Sequence, residues 1–261
     1  HEQVLARRVI ERGWFPALFR AGGTIERNDL SYWLEQFLPF DYSCASAGPA
    51  ATSPGFEEDW RISPRDWRPY HPHHDEYRIP GNMRRHMFRC LPVHDFHVSL
   101  TTEEVDAAFV QAREHGSAVL AFSSHDRRDI RPEVAHVHGL ITQTAQHYKD
   151  VTWQNANALV AARSMLGKTE EPAPHLEISQ DKDTLFIRSD RDLFGPTPFL
   201  AVEEGERFFR DNPTREDSRT WAYRMRNPGQ IRRIGVAGVT ASGSVGTAVL
   251  DVTDTRQAPH G

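Results

Sequence analysis

Helical stripes and short apolar runs alternate along the chain from Val4 to Leu166, and that rhythm constrains the fold more than any other feature of the sequence. Val4, Leu5, Val9 and Ile10 fall on one helical face ahead of Gly13, a natural helix terminator. "FPALF" (15–19) then reads as a short buried strand. Asn28 or Asp29 caps a second helix, in which Leu30, Trp33, Leu34 and Phe37 recur at i, i+3, i+4 and i+7. "FDYSCAS", "HDFHVSL", "SAVLAF" and "VTW" read as further strands. Between them lie a helix opened by a Thr101/Glu104 capping box, with Val105, Ala108, Phe109 and Ala112 on its inner face, and a helix with Pro132 in its first turn. A last helix spans Asn155 to Leu166. Strands separated by helices in this way predict an α/β fold of parallel strands joined by right-handed crossovers, as an open sheet or a barrel.

Two stretches depart from the rhythm. Between Gly48 and Cys90 the periodicity gives way to "EEDWRISPRDWRPYHPHHDEYRIPG", too long for a simple connection and therefore expected to be a functional excursion. After Gly167, the proline-bearing linker "KTEEPAP" leads into strand-rich sequence. "HLEISQDKDTLFIRS" reads as a hairpin, and "IRRIGVAGVTASGSVGTAVLDV" as two strands joined by a Gly/Ser turn. A small β-sandwich from Pro174 to Val252 is expected, giving an α/β domain over 1–167 and a β-sandwich accessory domain over 174–261.

Charge and cysteine content narrow the function classes. Thirty-one basic and 36 acidic residues leave a formal charge of -5, which offers no net attraction for nucleic acid or an anionic membrane. Cys44 and Cys90 have no metal-motif spacing and read as buried free thiols of a reducing compartment. Neither a long apolar run nor a basic-then-apolar leader is found, so a soluble, cytoplasmic protein is expected.

In folds of parallel strands, functional side chains gather where the strands end at the carboxyl side. By this criterion the candidates are Arg20, Asp41 with Ser43, His97 and His125. Asp41 alternates to the face opposite Phe40 and Tyr42, where it either orients Arg20 or a substrate hydroxyl or forms a structural ion pair. His71, His73, His74 and Asp75 have metal-ligand chemistry but lie in a loop without helical or strand spacing, and His94 and His97, three apart in a strand, face opposite sides. Trp60, Trp67, Tyr70 and Tyr77 either wall a substrate cleft or pack as a hydrophobic cluster under the long loop.

The order "FRAGG", "FDYS", "AFSSHD" over residues 2–166 resembles the second half of a NodB-homology polysaccharide deacetylase, of the carbohydrate esterase family 4 type. The resemblance implies a distorted (β/α) barrel and a metal-dependent deacetylase that hydrolyses the N-acetyl group of an aminosugar or a sugar-containing metabolite or polysaccharide. Its cofactor is a divalent metal, usually zinc, whose bound water attacks the carbonyl. It makes Arg20 the residue that orients the catalytic carboxylate, places Asp41 in the following aspartate motif, and makes His125 the general acid. An imidazole suits that task because its unperturbed pKa of about 6.5 lets it carry and release a proton near neutral pH. Asp126 stands with Trp60, Trp67 and Tyr70 among the substrate-side residues and is a carboxylate able to keep the imidazole protonated. The family's acidic pair and histidine pair, which supply base and metal ligands, precede the arginine motif and are not found in this chain, so the metal ligands are unknown. The start in mid-helix leads to the expectation that the amino-terminal strands lie upstream. The alternatives are a noncatalytic carbohydrate-binding or scaffolding relative and an unrelated (β/α)-barrel hydrolase.

Overall fold

A computed structural model describes residues 2–48, 60–93, 99–125 and 129–252. It is a mixed α/β structure with one parallel and two antiparallel sheets. The chain divides into two compact units, one of residues 18–32 and 40–169, the other of residues 1–17, 33–39 and 170–261.

The first unit is built on a four-stranded parallel sheet of β1 (Leu18–Phe19), β2 (Phe40–Cys44), β3 (His86–Pro92) and β4 (Ala121–Ser123), in that spatial order. Alternation along the strands sends Leu18, Phe40, Tyr42, Phe88, Cys90 and Ala121 to one face, where Ala162 of α5 (Ala158–Met165) completes the cluster. The Tyr42 and Phe88 rings stack there at 4.6 Å, and the Tyr42 hydroxyl donates to the Ala158 carbonyl at 2.6 Å. Leu91 belongs to a different cluster, with Val105, Ala108 and Phe109 of α3 (Thr102–His115) and Val137 of α4 (Arg131–Ala145).

The second unit carries the antiparallel strands β5 (Leu176–Asp181), β6 (Thr184–Ser189), β7 (Phe199–Glu204), β8 (Arg207–Asp211), β9 (Thr214–Arg215), β10 (Thr220–Arg224), β11 (Ile231–Val239) and β12 (Val245–Asp251). They form sheets of order β5-β6-β10-β9 and β12-β11-β7-β8. Leu185, Ile187 and Trp221 from one sheet share a core with Leu200, Val202, Ile234 and Val236 from the other, as in a sandwich. Helix α1 (Glu2–Arg12) packs on β7, β8 and β11 of this unit, although its position in the sequence groups it with the α/β part. Its close approach requires Gly235, where an added Cβ would lie 2.8 Å from Ile10 Cγ1 and 2.9 Å from Val9 Cγ1.

Several expected elements are placed differently. The third parallel strand is His86–Pro92; of the strand expected at 94–100, residues 94–98 lie outside the described residues. "VTW" forms no strand. The Thr101 side chain makes no capping hydrogen bond, because Glu104 is drawn instead to the Arg89 guanidinium at 2.6 Å and the Gly48 amide at 2.8 Å. Among the described residues no helix is long and apolar enough to cross a membrane.

Candidate functional site

The sheet separates the sequence-selected residues by face and by level. Arg20 directly follows β1, whose Phe19 pairs with Asp41. Cys90, on strand β3, lies within the influence of both the Arg20 and the Ser123 side chains, each of which favours its thiolate. Burial raises that thiol's pKa, and the positive charge of Arg20 opposes the rise. His125 follows two residues after Ser123; it is exposed, and none of the described residues hydrogen-bonds its ring. Asp126, beside it, lies outside the described residues, as do His94 and His97.

Asp41 is on the opposite face, and it does not contact Arg20. Its carboxylate is fully buried, with Oδ1 accepting from the Ser43 hydroxyl at 2.5 Å and the Ser43 amide at 2.9 Å, and Oδ2 accepting from Arg85 Nε at 3.3 Å. Arg85 is equally buried and also reaches Glu26 at 2.9 Å and the Ser31 hydroxyl at 2.6 Å. One buried guanidinium thus serves two buried carboxyl groups, and burial favours keeping one of them neutral. Burial, reinforced by the charge of Asp41, raises the pKa of Glu26 to about 9. Asp41 therefore makes the structural ion pair, with Arg85. It touches the Arg20 turn only at one remove, since the Ser43 hydroxyl that it holds accepts the Ala21 amide at 2.9 Å.

Asp41 also stands at a different level from His125. It pairs with Met87, whereas Ser123 pairs with Pro92. Those five residues of β3 correspond to about 16 Å along the strand. The sequence groups Asp41 with the carboxyl-end residues, yet it is the second residue of β2, which runs on to Cys44.

The excursion is core. Trp60 is 0% exposed and packs with Tyr77, Met87, Cys44 and Ala45. Trp67 is 2% exposed, donates its indole N–H to the Glu104 carbonyl at 3.0 Å and lies under the Arg89 guanidinium at 4.2 Å. The Tyr70 hydroxyl donates to the Tyr77 carbonyl at 3.1 Å, and burial raises its pKa. Neither tryptophan offers a face to a sugar ring, which corrects their assignment to the substrate side. The physical reason is that the Trp67 ring packs under the buried Arg89 guanidinium, while Trp60 fills an apolar cluster with Tyr77 and Met87.

The histidines of the excursion do not converge either. His71 and His86 lie with ring centroids 4.3 Å apart, and His71 Nδ1 hydrogen-bonds to the Arg85 carbonyl at 3.1 Å. Burial, then the neighbouring His71 and Lys168, depress the pKa of His86 to about 4. His74 contacts Tyr32 and Asp75. Among the described residues no group of three or more His, Cys, Asp or Glu side chains is arranged to hold a metal ion.

No known family profile matches the chain, and no curated protein matches it. Among solved structures it is similar to a novel carbohydrate acetylesterase from Xanthomonas citri, at 12% identity and a TM-score of 0.21, over 57% of this chain and 42% of that one. The chain spans less than half the length of that protein.

Proposed function

We propose that the chain is a carbohydrate deacetylase, a hydrolase of N-acetylated sugars, whose acid is His125 and whose orienting cation is Arg20. The observation that carries this reading is that the "FRAGG" and "AFSSHD" motifs close strands β1 and β4 of one parallel sheet, so that Arg20 and His125 both follow a strand's carboxyl end. The finer fold, a NodB-type (β/α) barrel, belongs to the same proposal and rests on the motif order.

These residues carry part of the reaction. His125 donates a proton to the leaving nitrogen as the carbon–nitrogen bond breaks, so that an amine and not an amide anion departs. Arg20 orients the reacting groups. Asp41 is a positioning residue that acts through Ser43 on the backbone after Arg20. A divalent metal such as zinc is part of what the motifs imply, but the described residues do not fit one. Asp41 is committed to Arg85, and the His71/His86 pair is joined by no third donor among the described residues.

The test is acetate release from N-acetylated oligosaccharides. His125→Ala is expected to lower turnover by roughly two to four orders of magnitude per folded molecule, with the melting temperature unchanged. Wild-type protein that releases no acetate from any of them removes the enzyme reading in favour of a noncatalytic carbohydrate binder. Turnover equal in wild type and variant removes His125 from it.

A further inference from the structure

Of the aromatic residues read from the sequence as sugar-facing, Trp60, Trp67 and Tyr77 are buried and Tyr70 is half-buried, and other rings of the parallel-sheet unit reach solvent. Phe122, on the edge strand β4, and Trp153 are each 38% exposed. Both line a cleft of about 560 Å³ bounded by α3, the chain leading into β4, the segment 150–156 and α5. His138 packs against Trp153 with ring centroids 5.5 Å apart and planes at 71°, which fixes the indole from one side. Buried Phe109 contributes apolar lining, while the exposed amides of Gln154 and Asn155 stand beside Trp153.

The lining has a definite chemical preference. A saccharide ring has an apolar C–H face and a rim of hydroxyls; flat exposed rings take the first, and amide side chains, each both donor and acceptor, take the second. The charged lining is one guanidinium, Arg113, and one carboxylate, Asp150, which offset each other. Arg113 is moreover already placed over the Tyr148 ring at 5.0 Å. An anionic glycan would call for a cluster of basic groups, and the cleft has none among the described residues.

We propose that this cleft, beside the strand that leads to His125, is the saccharide-binding site and that it takes a neutral glycan in preference to an anionic one. The saccharide assignment rests on the function proposed above; the preference for a neutral ligand rests on the cleft's own charges.

Calorimetric titration of the full chain with a chito-oligosaccharide and with an oligogalacturonate tests it. The neutral probe is expected to bind, and Trp153→Ala and Phe122→Ala each to weaken it by about tenfold or more while the circular dichroism spectrum and melting temperature stay the same. Unchanged binding in both variants, no binding of the neutral probe, or tighter binding of the oligogalacturonate overturns the proposal. Acetate release that is undiminished in both variants overturns the cleft and leaves the enzyme standing. Binding that is lost in the variants of a protein releasing no acetate confirms the cleft and removes the enzyme.

Discussion

Asp41 lies within the parallel sheet and His125 just past its strand β4, and the two regions around them are organised oppositely. Asp41 is closed in with Arg85, Glu26, Ser31 and Ser43, all buried, in one hydrogen-bonded network that runs through Arg85 and Asp41. His125 stands exposed just past β4, next to the strand that carries the exposed Phe122. A polar side chain held by buried protein partners is largely committed to them, whereas one that is exposed, with no hydrogen bond from the described residues to its ring, can meet a ligand. The contrast predicts that substitutions in the first region are felt in stability and those in the second in ligand chemistry.

The largest effect is expected from Arg85→Ala, which leaves two carboxyl groups buried without their cation. A loss of about 3–5 kcal/mol is expected in urea denaturation. A loss below about 1 kcal/mol would mean that water reaches the cluster and that the two regions are not so different. The paired substitutions Trp60→Ala and Trp153→Ala sharpen the contrast among aromatics. The first removes a fully buried ring, at a cost of about 3–5 kcal/mol, and the second a ring that folding leaves partly in water, at a cost of about 0.5 kcal/mol or less. Similar losses at the two sites would break the distinction.

A subtler expectation concerns pH. Because folding raises the pKa of Glu26 from 4.5 to about 9, its contribution to stability is fully present below 4.5 and is lost as pH rises through about 9. Stability should therefore fall between pH 6 and 9, and Glu26→Gln, which is neutral throughout, should flatten that decline. A slope identical in wild type and variant would show that Glu26 is ionised in the folded protein.

Much of this was legible in the residues. The Leu30, Trp33, Leu34, Phe37 stripe marks α2 (Asn28–Phe37), and the turn after Asp181 and the Gly/Ser turn before Val245 delimit the hairpins. Alternation in "FDYS" correctly separates Asp41 and Ser43 from Phe40 and Tyr42. Strand β3 was not legible, because Arg89 interrupts its apolar run and Arg85 adjoins it, and a strand with a buried guanidinium looks like loop. The same distance in sequence hides the roles of Trp67 and Trp60: whether an aromatic faces a ligand, a buried cation such as Arg89 or an apolar cluster depends on partners far along the chain. Phe122 and Trp153 carried a weak signal, since each follows a short apolar segment, but their exposure depends on which strand lies at the sheet edge. The topology decides that, and local pattern does not.

The pairing of one guanidinium with two carboxyl groups has a consequence for calorimetry. At neutral pH the unfolded chain has Glu26 ionised and the folded chain has it protonated, so folding draws a proton from the buffer and unfolding returns one. The measured unfolding enthalpy should then depend on the buffer's own heat of ionisation, differing between phosphate and Tris at the same pH and melting temperature. That difference reports the net protons exchanged on unfolding, and Glu26→Gln should remove the share that Glu26 contributes.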